Sequence, residues 1–160
     1  MKKNTLPIFG VGPIYVICCM FFTVLGLVLN KTGLLNSGNL PSLKIVSIII
    51  GEILIFIGGL LWVHAVIIQK ISSKISSGHL VTSGVYSIVR NPIYSAFLFV
   101  FTGILITAHN TYLFILPPIF YLFLTMLMKH TEEKWLFEKF GDSYTEYCTH
   151  VNRVIPWFRH

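Results

Sequence analysis

Charged side chains are scarce. Asp, Glu, Lys and Arg make up 11% of the 160 residues, whereas hydrophobic residues make up 54%. Soluble domains carry roughly 25% charged residues, and a soluble chain with so few would expose large apolar patches to water. The deficit excludes an ordinary soluble domain and suits a bilayer. Cysteine is sparse as well: Cys18 and Cys19 are neighbours in an apolar run, and Cys148 stands alone. None has the spacing of a metal site or a disulfide framework, so they read as small buried hydrophobes. No small-residue cleavage site follows the first apolar run, which argues against a removable signal peptide. Internal repeats and low-complexity stretches are also lacking, and the length suits a single domain over residues 1–160. The net charge is +6, but the basic residues form no single stripe, so nucleic acid is not an expected partner.

What is present is a series of long apolar runs. Crossing about 30 Å of hydrocarbon takes roughly 20 helical residues. Runs at 8–29, 43–68, 93–108 and 112–128 come close, predicting an all-α integral membrane fold of about four transmembrane helices. Only His109, Asn110 and Thr111 separate the last two runs, so these should form a tight helical hairpin. Pro117 and Pro118 predict a kink in the last helix. The basic residues set the orientation. With the N-terminus inside, that side receives Lys2, Lys3, Lys70, Lys74, Arg90, Lys129, Lys134, Lys139, Arg153 and Arg159, and the outside only Lys31 and Lys44. This asymmetry places both termini in the cytoplasm, with the plasma membrane of a prokaryote as the expected location. Segments 69–92 and 129–160 are then cytoplasmic. In the second, Leu136, Phe140, Tyr144 and Tyr147 recur at helical spacing, predicting an amphipathic tail that lies on the membrane or covers the core. Gly141 should interrupt it, and Ser143 with Glu146 fits a capping box that restarts it.

Several polar features stand out. The loop Gly84–Tyr94 places Tyr86, Arg90, Asn91 and Tyr94 at the mouth of the third run. Arg90 also answers the positive-inside rule there, Pro92 can start a helix, and the tyrosines suit the interfacial belt. Glu132 and Glu133 follow the fourth run; they can compensate a helix N-terminus or hold a cationic group. Glu52 lies deep in the second run. An ionisable group there costs at least roughly 2.5 kcal/mol, so it should face the protein interior, protonated, hydrogen-bonded or on a transport path. Gly51, Gly58 and Gly59 on the same helix would permit close packing. His79 sits in the polar loop, either as an ordinary surface histidine or as part of a site.

The run His79-Leu80-Val81-Thr82-Ser83-Gly84-Val85-Tyr86, followed by Arg90-Asn91-Pro92-Ile93-Tyr94, resembles the integral membrane methyltransferases of the isoprenylcysteine carboxyl methyltransferase family. The related phospholipid N-methyltransferases share part of the pattern. Thr131-Glu132-Glu133-Lys134-Trp135-Leu136-Phe137-Glu138-Lys139-Phe140-Gly141-Asp142-Ser143-Tyr144 is similar to the family's second signature, and Tyr147, Val151 and Ile155-Pro156 continue it. The likeness runs from about residue 50 to 157. It implies S-adenosyl-L-methionine as methyl donor, S-adenosyl-L-homocysteine as product, no metal, and a cofactor pocket between the two signatures. His79, Leu80, Val81, Gly84, Tyr86, Asn91, Tyr94 and Glu132 are the implied cofactor-binding residues. Glu133, Arg90 and Arg153 form the implied catalytic group. Glu132 would meet the cofactor's ammonium, with Glu133 nearer the substrate or structural, or the two in reverse order. Arg90 or Arg153 would bind an anionic substrate group. Asn91 departs from the histidine usual in eukaryotic members; an amide cannot titrate near neutrality, so binding and not proton transfer is its expected role.

The implied activity is methyl transfer to a lipophilic or amphipathic acceptor: an isoprenylcysteine carboxylate, a phospholipid amine or another small apolar molecule. Membrane lipids are the expected surroundings, and the sequence leaves the oligomeric state open. No Gly-x-Gly-x-x-Gly follows a strand, which excludes a soluble Rossmann-type methyltransferase. Two other classes compete. A small proton-coupled transporter would work through Glu52, and a noncatalytic membrane interaction protein would keep the fold without binding cofactor.

Overall fold

The computed structural model describes residues 10–68 and 80–156. Among them there is no strand; two isolated β-bridges join Asn39 to Asn110 and Val89 to Asn152. Helix α1 (Gly12–Lys31) carries Pro13 in its first turn and Lys31 in its last, where a missing N–H and a cation respectively are tolerated or favourable. It buries one narrow strip, Tyr15, Cys19, Thr23 and Gly26, at helical spacing. The rest of its surface, including Ile14, Ile17 and Phe21, is exposed, as suits a helix facing lipid. Helix α2 (Lys44–Val63) buries only Ser47, Gly51 and Gly58 and continues into a π-turn, His64–Ile68.

Helix α3 (Pro92–Thr107) is the enclosed one, burying residues around its circumference from Pro92 to Leu105. After a 3-10 turn at Thr111–Ile115 come α4 (Leu116–His130), α5 (Glu132–Phe140) and α6 (Asp142–His150). Among the described residues, three stretches are long and apolar enough to cross a membrane: Gly12–Lys31, Pro41–Ile67 and Thr111–Phe140. Pro92–Thr107 is apolar but shorter, reaching roughly 24 Å at 1.5 Å per residue. The all-α membrane class therefore holds, with three full-length candidate spans and one shorter helix where four spans were expected.

Between helices in lipid the hydrophobic effect supplies little, so close packing must hold them together. At the α2–α3 crossing a Cβ on Gly51 would lie 2.7 Å from the Gly103 carbonyl oxygen, and one on Gly103 would lie 2.5 Å from that of Gly51. A Cβ on Gly58 would lie 2.7 Å from the Ala96 oxygen. These two backbones touch. Gly59, expected to share this role, does not: a Cβ there meets nothing within 4 Å. On the other side of α3, Tyr15 and Cys19 of α1 pack with Leu98, Phe101, Phe120 and Leu124 in the main core.

Asn110 ties the α1–α2 connection to the α3–α4 hairpin. It is fully buried, and its Nδ2 lies 2.8 Å from Asn30 Oδ1, 2.8 Å from the Leu35 oxygen and 3.0 Å from Asn39 Oδ1. Its Oδ1 accepts from the Tyr112 N–H at 3.0 Å. A buried amide left unmet would be costly; this one is met on both sides.

Three further expectations change. Pro117 and Pro118 fall in the first turn of α4, where no intrahelical donor is lost, so they begin the α-helix instead of kinking it. Ser143 and Glu146 form no capping box. Helix α6 starts at Asp142, directly after Gly141 at φ +53°, with no side-chain cap. The Gly141 carbonyl instead accepts from the N–H groups of Tyr144 and Thr145. Glu52 is exposed on the outer face of α2, not turned inward, so it lines no internal path.

Candidate active site

At one end of the bundle the two signature segments interlock. The Arg90 N–H donates to the Asn152 carbonyl at 2.8 Å, beside the Val89–Asn152 bridge. Asn91 Nδ2 donates to the Arg153 carbonyl at 2.8 Å. The Ser95 hydroxyl donates to the Val154 carbonyl, and the Tyr147 hydroxyl to the Tyr86 carbonyl. Apolar contacts reinforce the join. Val81 packs with Val85, Tyr86 and Val89 against Ala65, while Leu80 packs with Leu136, Phe140, Tyr144, Tyr147 and Val151. The apolar face predicted for the tail thus packs on itself and on Leu80.

The ionic centre is Glu133 between two guanidinium groups. Arg153 grips it with Nε 2.6 Å from Oε1 and Nη2 2.9 Å from Oε2. Arg90 Nη2 stands 3.4 Å from Oε1. The Arg90 side chain is only 8% exposed. Its Nη1 lies 3.4 Å from the Tyr144 hydroxyl and contacts Cys148 Sγ, and its guanidinium lies 5.9 Å from the centre of the Tyr144 ring. Arg90 Nε is buried without a hydrogen-bond partner. Two cations therefore share one carboxylate, and one buried donor is unused. The hydrogen bonds that Arg153 donates to Glu133 raise the Arg153 pKa. Burial pushes the phenols of Tyr86, Tyr144 and Tyr147 up, keeping them neutral donors.

Glu132 occupies a second position. It accepts from the Val11 N–H at 2.9 Å and from the Tyr94 hydroxyl. It therefore satisfies one of the free donors at the start of α1. A Cβ on Gly10 would lie 1.9 Å from Oε1 of this carboxylate, and Gly10 stands at φ +50°, a backbone conformation that glycine adopts without strain. The Tyr94 ring meets Tyr15 edge-on with centroids 6.3 Å apart.

The structure thus brings Arg90, Glu133 and Arg153 into one cluster, puts Tyr94 on Glu132, and sets Asn91 as a clamp on Arg153. Gly84, at φ +65°, starts the turn Gly84–Ser87 that carries buried Tyr86; glycine adopts that conformation without strain. His79 lies outside the described residues. An open cleft of about 450 Å³ borders the ionic centre, lined by Lys129, Glu133, Phe137, Tyr144 and Cys148 among others. Among the described residues no group of three or more His, Cys, Asp or Glu side chains could hold a metal ion. Sequence reasoning missed Cys148 and the Gly10–Val11 contact. Only the glycines before the first span hinted at the latter.

The model of the phospholipid methyltransferase family matches residues 46–143. A protein named methanethiol S-methyltransferase 1, from Bradyrhizobium diazoefficiens, is 29% identical over 96 residues, which cover 60% of this chain and 33% of that protein. The chain therefore spans about a third of the length of that relative. No solved structure gives a significant match. The match runs across α2, α3, α4 and α5 and makes this chain a member of the phospholipid methyltransferase family.

Proposed function

We propose that this membrane methyltransferase takes its methyl group from S-adenosylmethionine, at the end of the bundle that faces the cytoplasm, and delivers it to a lipophilic or amphipathic acceptor. The observation that carries the reading is the ionic centre. Arg90 and Arg153 share the single carboxylate of Glu133, and the buried Arg90 Nε has no partner. That surplus of positive charge and unused donor fits a carboxylate such as that of the cofactor's amino-acid end. Glu132 with Tyr94 fits its ammonium, once the Val11 N–H shares or yields the carboxylate. His79, Leu80, Val81, Gly84, Tyr86 and Asn91 complete the proposed binding group. Once bound, the cofactor supplies a methyl group on a cationic sulfonium, which passes to the acceptor's nucleophile while the carbon–sulfur electron pair returns to sulfur.

The protein's own share is binding, orientation and exclusion of water. Rigid placement of two reactants can contribute several kcal/mol to a displacement. The interlocked segments provide rigidity, and the neutral phenols around Arg90 provide donors that do not add charge. Glu133 holds Arg153 in a fixed plane, so an anionic group on the acceptor would meet an oriented guanidinium. An apolar acceptor could reach the site sideways through the membrane. The relative named for methanethiol extends the candidate acceptors to small apolar thiols, beside isoprenylcysteine carboxylates and phospholipid amines.

Calorimetric titration of S-adenosylhomocysteine into detergent-purified protein tests this. Saturable binding is expected, weakened roughly tenfold or more in His79→Ala and Glu132→Ala, as for loss of charge-assisted hydrogen bonds. Tyr94→Phe keeps the ring and isolates the phenol's share. Folded wild-type protein that binds neither this ligand nor S-adenosylmethionine, with lipid restored, would overturn the reading.

A further inference from the structure

The face of α2 opposite α3 carries Ile45, Ile49, Glu52, Phe56, Gly59 and Val63, alternately four and three residues apart. All six are exposed. Such spacing forms a straight seam of the kind that packs against a second helix. Most of the outer surface of this chain is equally apolar and needs only lipid. Glu52 is the exception.

Glu52 sits eight residues beyond Lys44 and eleven before Val63, roughly 12 Å and 17 Å along the helix axis. Those distances put it within the hydrocarbon layer. It makes no hydrogen bond or ion pair among the described residues, and lipid tails offer it none. A carboxyl group so placed, unmet among the described residues, would be satisfied by a polar partner supplied across the seam.

We infer that α2 is the docking face for a second copy of this chain, with the two Glu52 carboxyl groups paired across a two-fold axis along the membrane normal. Two copies inserted in the same sense present Glu52 at the same depth, so symmetry alone brings like to like. A carboxylic acid is both donor and acceptor; two of them facing each other are self-complementary. Gly59 lies seven residues further along the seam, and a Cβ there meets nothing within 4 Å. Its bare backbone leaves a notch in which the partner's α2 can approach closely. The surface used for α3 is separate, since Gly51 and Gly58 hold that contact.

Energy transfer between donor- and acceptor-labelled full-length chains in phosphatidylcholine vesicles tests this, with the protein-to-lipid ratio varied. Transfer should rise with that ratio in wild type. The midpoint should shift by about tenfold toward higher density in Glu52→Leu and in Gly59→Leu. Glu52→Gln, which keeps a donor and an acceptor, should retain association. Unchanged helical content and melting in each variant separates docking from folding. Wild type without transfer at any ratio would overturn the proposal and assign Glu52 to a different helix or to a lipid headgroup. Association that ignores Glu52→Leu, or is lost equally in Glu52→Gln, would overturn the carboxyl pairing.

Discussion

Arg153 holds Glu133 in a two-point grip, Nε to one carboxylate oxygen at 2.6 Å and Nη2 to the other at 2.9 Å. Arg90 reaches the same carboxylate at 3.4 Å. Removing the acid would leave two guanidinium groups facing each other, one of them almost buried. Glu133→Ala should therefore destabilise the protein by roughly 2–3 kcal/mol. That falls below the 3–5 kcal/mol of a fully enclosed pair because Arg153 keeps some access to water. Arg153→Lys keeps the charge but loses the fork, and should cost less than half as much. Chemical unfolding in detergent gives both values. Equal losses would show that the planar fork, and not charge alone, holds the centre.

Asn110 makes an independent prediction at the opposite end. Its two amide hydrogens serve three acceptors, Asn30, Leu35 and Asn39, and its own oxygen takes the Tyr112 N–H. Asn110→Leu would strand these groups in a buried site, at about 1–3 kcal/mol each though not additively. A loss of roughly 3 kcal/mol is expected by thermal melting, with ligand affinity at the far end unchanged in the protein that remains folded.

Two adjacent glycines of α2, Gly58 and Gly59, make opposite predictions. Gly58→Ala puts a methyl 2.7 Å from the Ala96 carbonyl and should separate α2 from α3, at about 1–3 kcal/mol. Gly59→Ala faces open space and should raise helix stability slightly, by less than about 1 kcal/mol. Melting temperatures of the two single variants check the contrast directly.

That contrast also marks what the sequence could convey. Hydropathy gives the apolar runs to within a few residues, because a span must be apolar along its length. It is silent on which side of α2 faces protein, since Ile, Leu and Phe serve lipid and core alike. Glu52 therefore turns outward against expectation, and only one of the adjacent glycines touches α3. The 3-10 turn before α4 was likewise hidden, and with it the harmless position of Pro117 and Pro118. The polar end was more legible. Arg90, Glu133 and Arg153 lie within the segments singled out by resemblance and meet in space. Their pairing was not readable, because it depends on how the chain after α6 returns along residues 89–95.

The phenols around this centre make stability depend on alkaline pH. Burial raises the pKa of Tyr86, Tyr144 and Tyr147 in the folded protein, whereas in the unfolded chain each ionises near about 10. As pH rises past that value the unfolded state releases protons first, so unfolding becomes progressively easier. Below about 10 the contribution of these groups is intact. The unfolding free energy in detergent should be level from pH 7 to 9 on their account and fall above pH 10, by at most about 1.4 kcal/mol per pH unit for each fully shifted group. Lysines titrate in the same range, so the informative quantity is the difference between wild type and Tyr147→Phe. That variant should be less stable at neutral pH by about 1 kcal/mol, through its lost hydrogen bond to the Tyr86 carbonyl. It should also decline less steeply above pH 10. Parallel curves for the two proteins would mean that Tyr147 ionises as readily in the folded state as in the unfolded one, and that its hydroxyl is reached by water.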